Sequence, residues 1–135
     1  PSLPSKMRAA VVTGFGDPDQ NVFVKDDQPT PVLDVDNNKS KKKTATDDDE
    51  SSSSLIIRVL ACALAPGDVR VLSGKTAYIQ LPNGLPYITG SDVAGIVVQV
   101  PPATTVQKKN KKFQVGDYVI SRFDEPRPQG GVAEY

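Results

Sequence analysis

The chain has no histidine and one cysteine, and neither sign of charge prevails: sixteen Lys and Arg face sixteen Asp and Glu. Without imidazole, these 135 residues hold no histidine base, no Ser–His nucleophile pair and no histidine metal ligand. A single thiol excludes an internal disulfide framework and a zinc site of the usual Cys/His kind. It also points to a reducing compartment, the cytoplasm. With the charges balanced, no overall field draws the chain to nucleic acid or to an anionic membrane surface. No apolar run approaches the roughly 18–20 residues that a membrane span needs. Pro1–Lys6 lacks the apolar stretch of a signal peptide and reads as an extension, with Met7 as a candidate initiator.

What remains is a patterned, strand-rich sequence with room for one domain. Met7–Val12 reads as a short strand closed by the turn-forming run Gly14–Pro18. Asn21–Lys25 alternates, with Val22 and Val24 on one face and Phe23 on the other, until the run Gln28–Pro31 breaks the pattern. Leu55–Cys62 is the strongest strand signal. Strict alternation would set Leu55, Ile57, Val59 and Ala61 opposite Ile56, Arg58, Leu60 and Cys62, with Cys62 a buried structural thiol. A short helix follows, with Pro66 in its first turn, Asp68 at its positive end and Ser73-Gly74 as its stop. Lys75–Thr89 reads as a loop. Ala94–Val100 is a strand that Pro101-Pro102 must end. Phe113–Arg122 is a strand interrupted at Gly116-Asp117, and Gly130–Tyr135 begins another. Because the last segment stops inside a strand, the parent protein is expected to continue past Tyr135.

Residues 34–54 are of another kind. They hold four lysines and six acids in separate blocks, one valine and no aromatic. Such a segment cannot bury enough surface to offset an ordering cost of about 1–2 kcal/mol per residue, so a disordered insertion is expected. Lys39–Lys43 and Asp47–Ser54 are open to reading as an import patch and a phosphorylation site, or as plain solvated charge.

Four stretches occur in order: MRAAVVTGFGDP, LIIRVLACALAPGDVR, PYITGSDVAGIVVQV, and FQVGDYVISRF followed by GGVAEY. Together they closely resemble the N-terminal GroES-like domain of the medium-chain dehydrogenase/reductase superfamily, nearest its zinc-independent quinone oxidoreductase-like branch. The resemblance implies a mainly β fold, a partly open β-barrel with one short helix. Residues 7–135 would form this domain around the 34–54 insertion, and the nucleotide-binding Rossmann domain would be absent. It further implies an NADPH-dependent reductase, incomplete as this chain, acting on a small carbonyl, enone or quinone. Hydride would go to the enone β-carbon or to the quinone, and two copies would pair, if at all, through the absent domain. A non-catalytic GroES-like binding module, or a pseudoenzyme fragment, is the alternative.

In the zinc enzymes of that superfamily a ligand cysteine stands where this chain has Ala65, and a ligand histidine where it has Ser91. Neither ligand is present, so the resemblance implies reduction without zinc. In the zinc-free branch an asparagine is common at the Ala65 position and a tyrosine at that of Arg70. Pro66 and Asp68 match; Ala65 and Arg70 depart. By resemblance the wall of the substrate and cofactor cleft comprises Ala65, Asp68, Arg70, Tyr78, Ser91 and Asp92, with no catalytic residue assigned. Asp68 either caps the helix or faces the cleft. Ser91-Asp92 either bonds within the cleft or ties its own turn. Gly14-Phe15-Gly16 is no dinucleotide fingerprint, because Asp17-Pro18-Asp19 puts carboxylates where a pyrophosphate would sit.

Overall fold

In a computed structural model, which describes residues 2–33, 55–81, 84–101, 113–123 and 130–135, the chain forms two three-stranded antiparallel sheets and three short helices. In the first sheet β1 (Lys6–Val12) is central, between β2 (Val22–Pro29) and the two-residue β4 (Tyr87–Ile88). Alternating side chains of β1 explain its place: Met7, Ala9 and Val11 are buried together with Ile88. Val12 turns the other way, into a cluster with Val71 and Tyr87. In the second sheet β5 (Asp92–Gln99) is central between β3 (Ile56–Ala63) and β6 (Tyr118–Arg122). Val93 and Val97 of the central strand and Ile56 of β3 are closed off from solvent.

The C-terminal residues join the two sheets. Ala10 N–H donates to Val132 O at 2.8 Å and Glu134 N–H to Arg8 O at 3.0 Å. From the second sheet, Val59 N–H donates to Glu134 O at 2.9 Å. Ala133 and Tyr135 pack against the Met7 cluster. The sheets do not close into a continuous barrel, so the mainly β, partly open architecture that was expected is observed.

Several local expectations change. β2 runs on past Lys25 and ends at Pro29, inside the Gln28–Pro31 run; at the tip of an edge strand the missing N–H of Pro29 costs no ladder bond. β2 is largely exposed on both faces, Phe23 and Val24 included, because no described element covers it. In β3 the register shifts between Val59 and Ala61, which oppose Gly95 and Ala94. This bulge reverses the alternation beyond Leu60, so Cys62 turns inward while Ala61 is exposed. Cys62 is half-buried rather than fully buried. Only the second half of Phe113–Arg122 is a strand. Gly116 has a positive φ of 98°, and Gln114 N–H donates to the Asp117 carboxylate at 2.7 Å, so the first half folds as a turn. Gly130–Tyr135 makes one isolated bridge, Ala9 to Ala133, in place of a full strand.

The expected helix is α2 (Pro66–Leu72), with Pro66 in its first turn and Ser73 as C-cap. Two single-turn helices accompany it: α1 (Pro18–Asn21), which bridges the expected turn at Gly14–Pro18 and the expected strand from Asn21, and α3 (Ala77–Gln80), inside the stretch expected to be loop. The 34–54 insertion and Val106–Lys112, a basic, polar stretch whose sequence also reads as a loop, lie outside the described residues.

Candidate functional site

Ala65 is the N-cap residue of α2, yet its methyl group offers no acceptor to the helix's first N–H groups. The compensation runs the other way. The Asp68 carboxylate, in the first turn, accepts from the Ala65 N–H at 2.8 Å. A carboxylate there is also favoured by the positive end of the helix. Asp68 is only 5% exposed, and its Oδ2 also accepts from the Ser91 hydroxyl at 3.2 Å. Asp68 therefore does more than cap. It fastens α2 to the turn that enters β5, some 23 residues further along the chain.

The connection continues across the second sheet. Ser91 Oγ lies 3.3 Å from Asp92 Oδ2 as well. Arg122 donates to Asp92 through Nε at 2.7 Å and through Nη2 at 3.3 Å. Asp92 and Arg122 are directly opposed in the β5–β6 register, so both side chains lie on one face. The hydrogen bond and the charge of Asp92 hold the exposed Arg122 guanidinium above its ordinary pKa. Ser91 also ties the backbone: Phe123 N–H donates to Ser91 O at 2.9 Å. At the preceding position, a Cβ on Gly90 would lie 2.5 Å from Cys62 Sγ, so the turn approaches β3 as closely as a side-chain-free residue permits.

Four of the six candidate residues, Ala65, Asp68, Ser91 and Asp92, thus form one bonded group. Arg70 and Tyr78 stand apart from it. Both side chains are exposed, on α2 and α3, although those helices pack together. Arg122 was not among the candidates. An arginine ending one strand and an aspartate starting the preceding one was the available signal, readable only with the register in hand.

The described residues do not suit the two groups that the wider superfamily uses. Ala65 has no donor atom and Ser91 offers a neutral hydroxyl, so the paired positions lack the thiolate and imidazole of a zinc site. A dinucleotide needs a glycine-rich turn opening a helix within a parallel βαβ unit. Both described sheets are antiparallel throughout, and the longest described helix has seven residues. After Gly14-Phe15-Gly16 the start of α1 is capped by Asp17, whose Oδ1 accepts from Asp19 N–H at 3.0 Å. That end is already filled by a carboxylate.

Residues 51–134 match the family model of the alcohol dehydrogenase GroES-like domain. The chain belongs to that family. A 2-methylene-furan-3-one reductase of Solanum lycopersicum is 30% identical over 134 residues, which are 99% of this chain and 29% of that protein. An NADPH-dependent alkenal/one oxidoreductase of Arabidopsis thaliana, described as chloroplastic, is also 30% identical, over 99% of this chain and 29% of its own length. Among solved structures, a mycobacterial quinone oxidoreductase superposes with a TM-score of 0.62 at 28% identity, covering 95% of this chain and 30% of that one. This GroES-like chain spans less than a third of the length of each of these three proteins. Among the described residues no helix is long and apolar enough to cross a membrane.

Proposed function

We propose that this GroES-like domain is the substrate-side part of a zinc-independent reductase that uses NADPH, in preference to NADH, to reduce an α,β-unsaturated carbonyl or a quinone. The nucleotide is held by a separate Rossmann domain that follows residues 7–135. The observation that carries this reading is Asp68. One buried carboxylate oxygen bonds both the Ala65 N–H and the Ser91 hydroxyl. The two positions that bear zinc ligands in the metal enzymes are thereby held together here, without donors suited to the metal. Such a wall fits a hydride transfer in which no metal Lewis acid polarises the substrate.

The names of the relatives support the same chemistry, since they describe reductases of enones and quinones and one specifies NADPH. Leu64, Val69, Tyr78 and Ile79 expose apolar surface on and around α2 and α3. Apolar surface there suits a substrate-facing wall that closes against water, and we assign Arg70 and Tyr78 to it. The single thiol and the balanced charge fit a cytoplasmic protein with neither nucleic acid nor membrane as partner. Any homodimer would form through the separate domain.

The test begins with the gene. A strand followed by G-x-G-x-x-G, or its alanine variant, is expected about 20–40 residues beyond Tyr135. The protein carrying that domain should oxidise NADPH when given an enone or a quinone. It should purify without stoichiometric zinc and keep its activity in chelator, whereas the present chain alone should show no micromolar NADPH binding. About one zinc per chain would refute the zinc-free assignment. Micromolar binding by the present chain would overturn the division of labour. NADPH binding by the extended protein without turnover would mark a non-catalytic module, with Ala65 and Arg70 as the first residues to revert.

A further inference from the structure

We infer that Asn21 is a positioning residue: it shapes the loop of residues 14–17 so that this loop closes the C-terminal end of α2 and fixes the corner from which α3 starts. Calling that corner substrate-facing rests on the function proposed above; its placement does not.

The last carbonyls of a helix have no partner within it and must find donors elsewhere. In α2 three of them are met close by. Ser73 N–H donates to Val69 O at 2.9 Å, the Ser73 hydroxyl to Arg70 O at 2.7 Å, and Gly74 N–H to Val71 O at 2.9 Å. The remaining one, Leu72 O, accepts at 2.9 Å from Gly16 N–H, in the loop between β1 and α1. The same loop lays Phe15 on the corner. Gly74 has a φ of 83°, and a Cβ built on it would lie 3.3 Å from Phe15 Cγ and 3.6 Å from Phe15 Cδ2. Gly74 O in turn accepts from Ala77 N–H at 3.5 Å, where α3 begins. The backbone that carries Tyr78 and Ile79 therefore leaves α2 at a glycine against which the loop is seated. What holds the loop is Asn21. Its Nδ2 donates to Asp17 O at 2.9 Å and to Phe15 O at 3.4 Å. A carboxamide nitrogen carries two N–H groups, one for each carbonyl. On the other side, a Cβ on Gly14 would collide with Asn21 Oδ1, so the loop wraps the carboxamide with no room for a side chain at its first residue. A carboxylate in the same place would set an acceptor against two acceptors.

The experiment uses the whole chain, isotopically labelled, and nuclear magnetic resonance. Asn21→Asp keeps the shape of the side chain but loses both N–H groups. It is expected to speed hydrogen exchange at the Gly16 amide about fivefold or more. The Gly74 α-proton resonances, set by the Phe15 ring beside them, should move, and with them the Tyr78 and Ile79 amides. Gly14→Ala, which displaces the carboxamide by contact rather than by charge, should give the same pattern. Gly16 exchange within about twofold of the parent chain, with Gly74 unmoved, would overturn the proposal. So would a change at Gly16 and Gly74 that stops short of Tyr78 and Ile79. If Asn21→Asp does not fold, Asn21→Ser is read in its place against the same outcomes. None of these readouts depends on turnover: an extended protein without activity would count against the proposed function and leave them as they are.

Discussion

Gly95→Ala is expected to lower the melting temperature by roughly 10 °C, more than any surface change on this domain. Gly95 opposes Val59 in the β3–β5 ladder, beside the register shift that precedes Ala61. A Cβ built there would lie 2.3 Å from Arg58 O and 2.5 Å from Ile57 Cγ2. The first of these is backbone and cannot rotate away, so the strands must part or the bulge must move. Overpacking of this kind costs about 3 kcal/mol at the upper end of its usual range. For a domain of this size each kcal/mol corresponds to about 3–4 °C. Thermal unfolding followed by circular dichroism measures it. A shift within about 2 °C would mean that β3 and β5 tolerate wider spacing than their register implies.

Met7→Ala is expected to cost about 3 kcal/mol of unfolding free energy, and Ile120→Ala within about 0.5 kcal/mol. Both residues are large, apolar and placed in strands, and hydrophobicity alone would rank them alike. Met7 is 1% exposed and packs with Ala9, Val11 and Ile88 beneath Ala133 and Tyr135. Truncating it leaves a cavity where the C-terminal segment meets β1, so the loss adds a packing term to the transfer term. Ile120 is 88% exposed on the edge strand β6 and has little burial to lose. Urea titrations of the two variants should separate them clearly. Equal losses would mean that the outward face of β6 is covered in solution.

The two outcomes show where a local pattern stops being informative. β1, β3 and β5 were readable because runs such as MRAAVV and LIIRVL restrict the backbone to an extended form, and α2 because Pro66, Asp68 and Gly74 mark a helix's ends. The interruption read at Gly116-Asp117 is a turn, with Gly116 at a positive φ. The absence of histidine, and alanine and serine at the paired ligand positions, spoke against zinc before any fold was known. Single helical turns such as α1 and α3 were missed, because four residues carry no periodicity to detect.

Asp68 shows the division within one residue. Its place at the start of a helix made a cap predictable from composition. Its bond to Ser91 depends on how α2 packs against the second sheet, which no local pattern records. The Asp92–Arg122 pair is similar: the charges were visible, but only the β5–β6 register places them side by side. The reversal of faces at Leu60 follows from a bulge that depends on a partner strand. By itself the sequence determined that β1, β3 and β5 would be extended and where the principal helix would start and stop. The tertiary structure alone decided which faces are covered, which carboxylate shares which donor, and how residues 130–135 bind the two sheets together. Backbone preference is set by neighbours within a few residues, whereas burial and hydrogen-bond partnership are set by segments that meet only when the chain has folded.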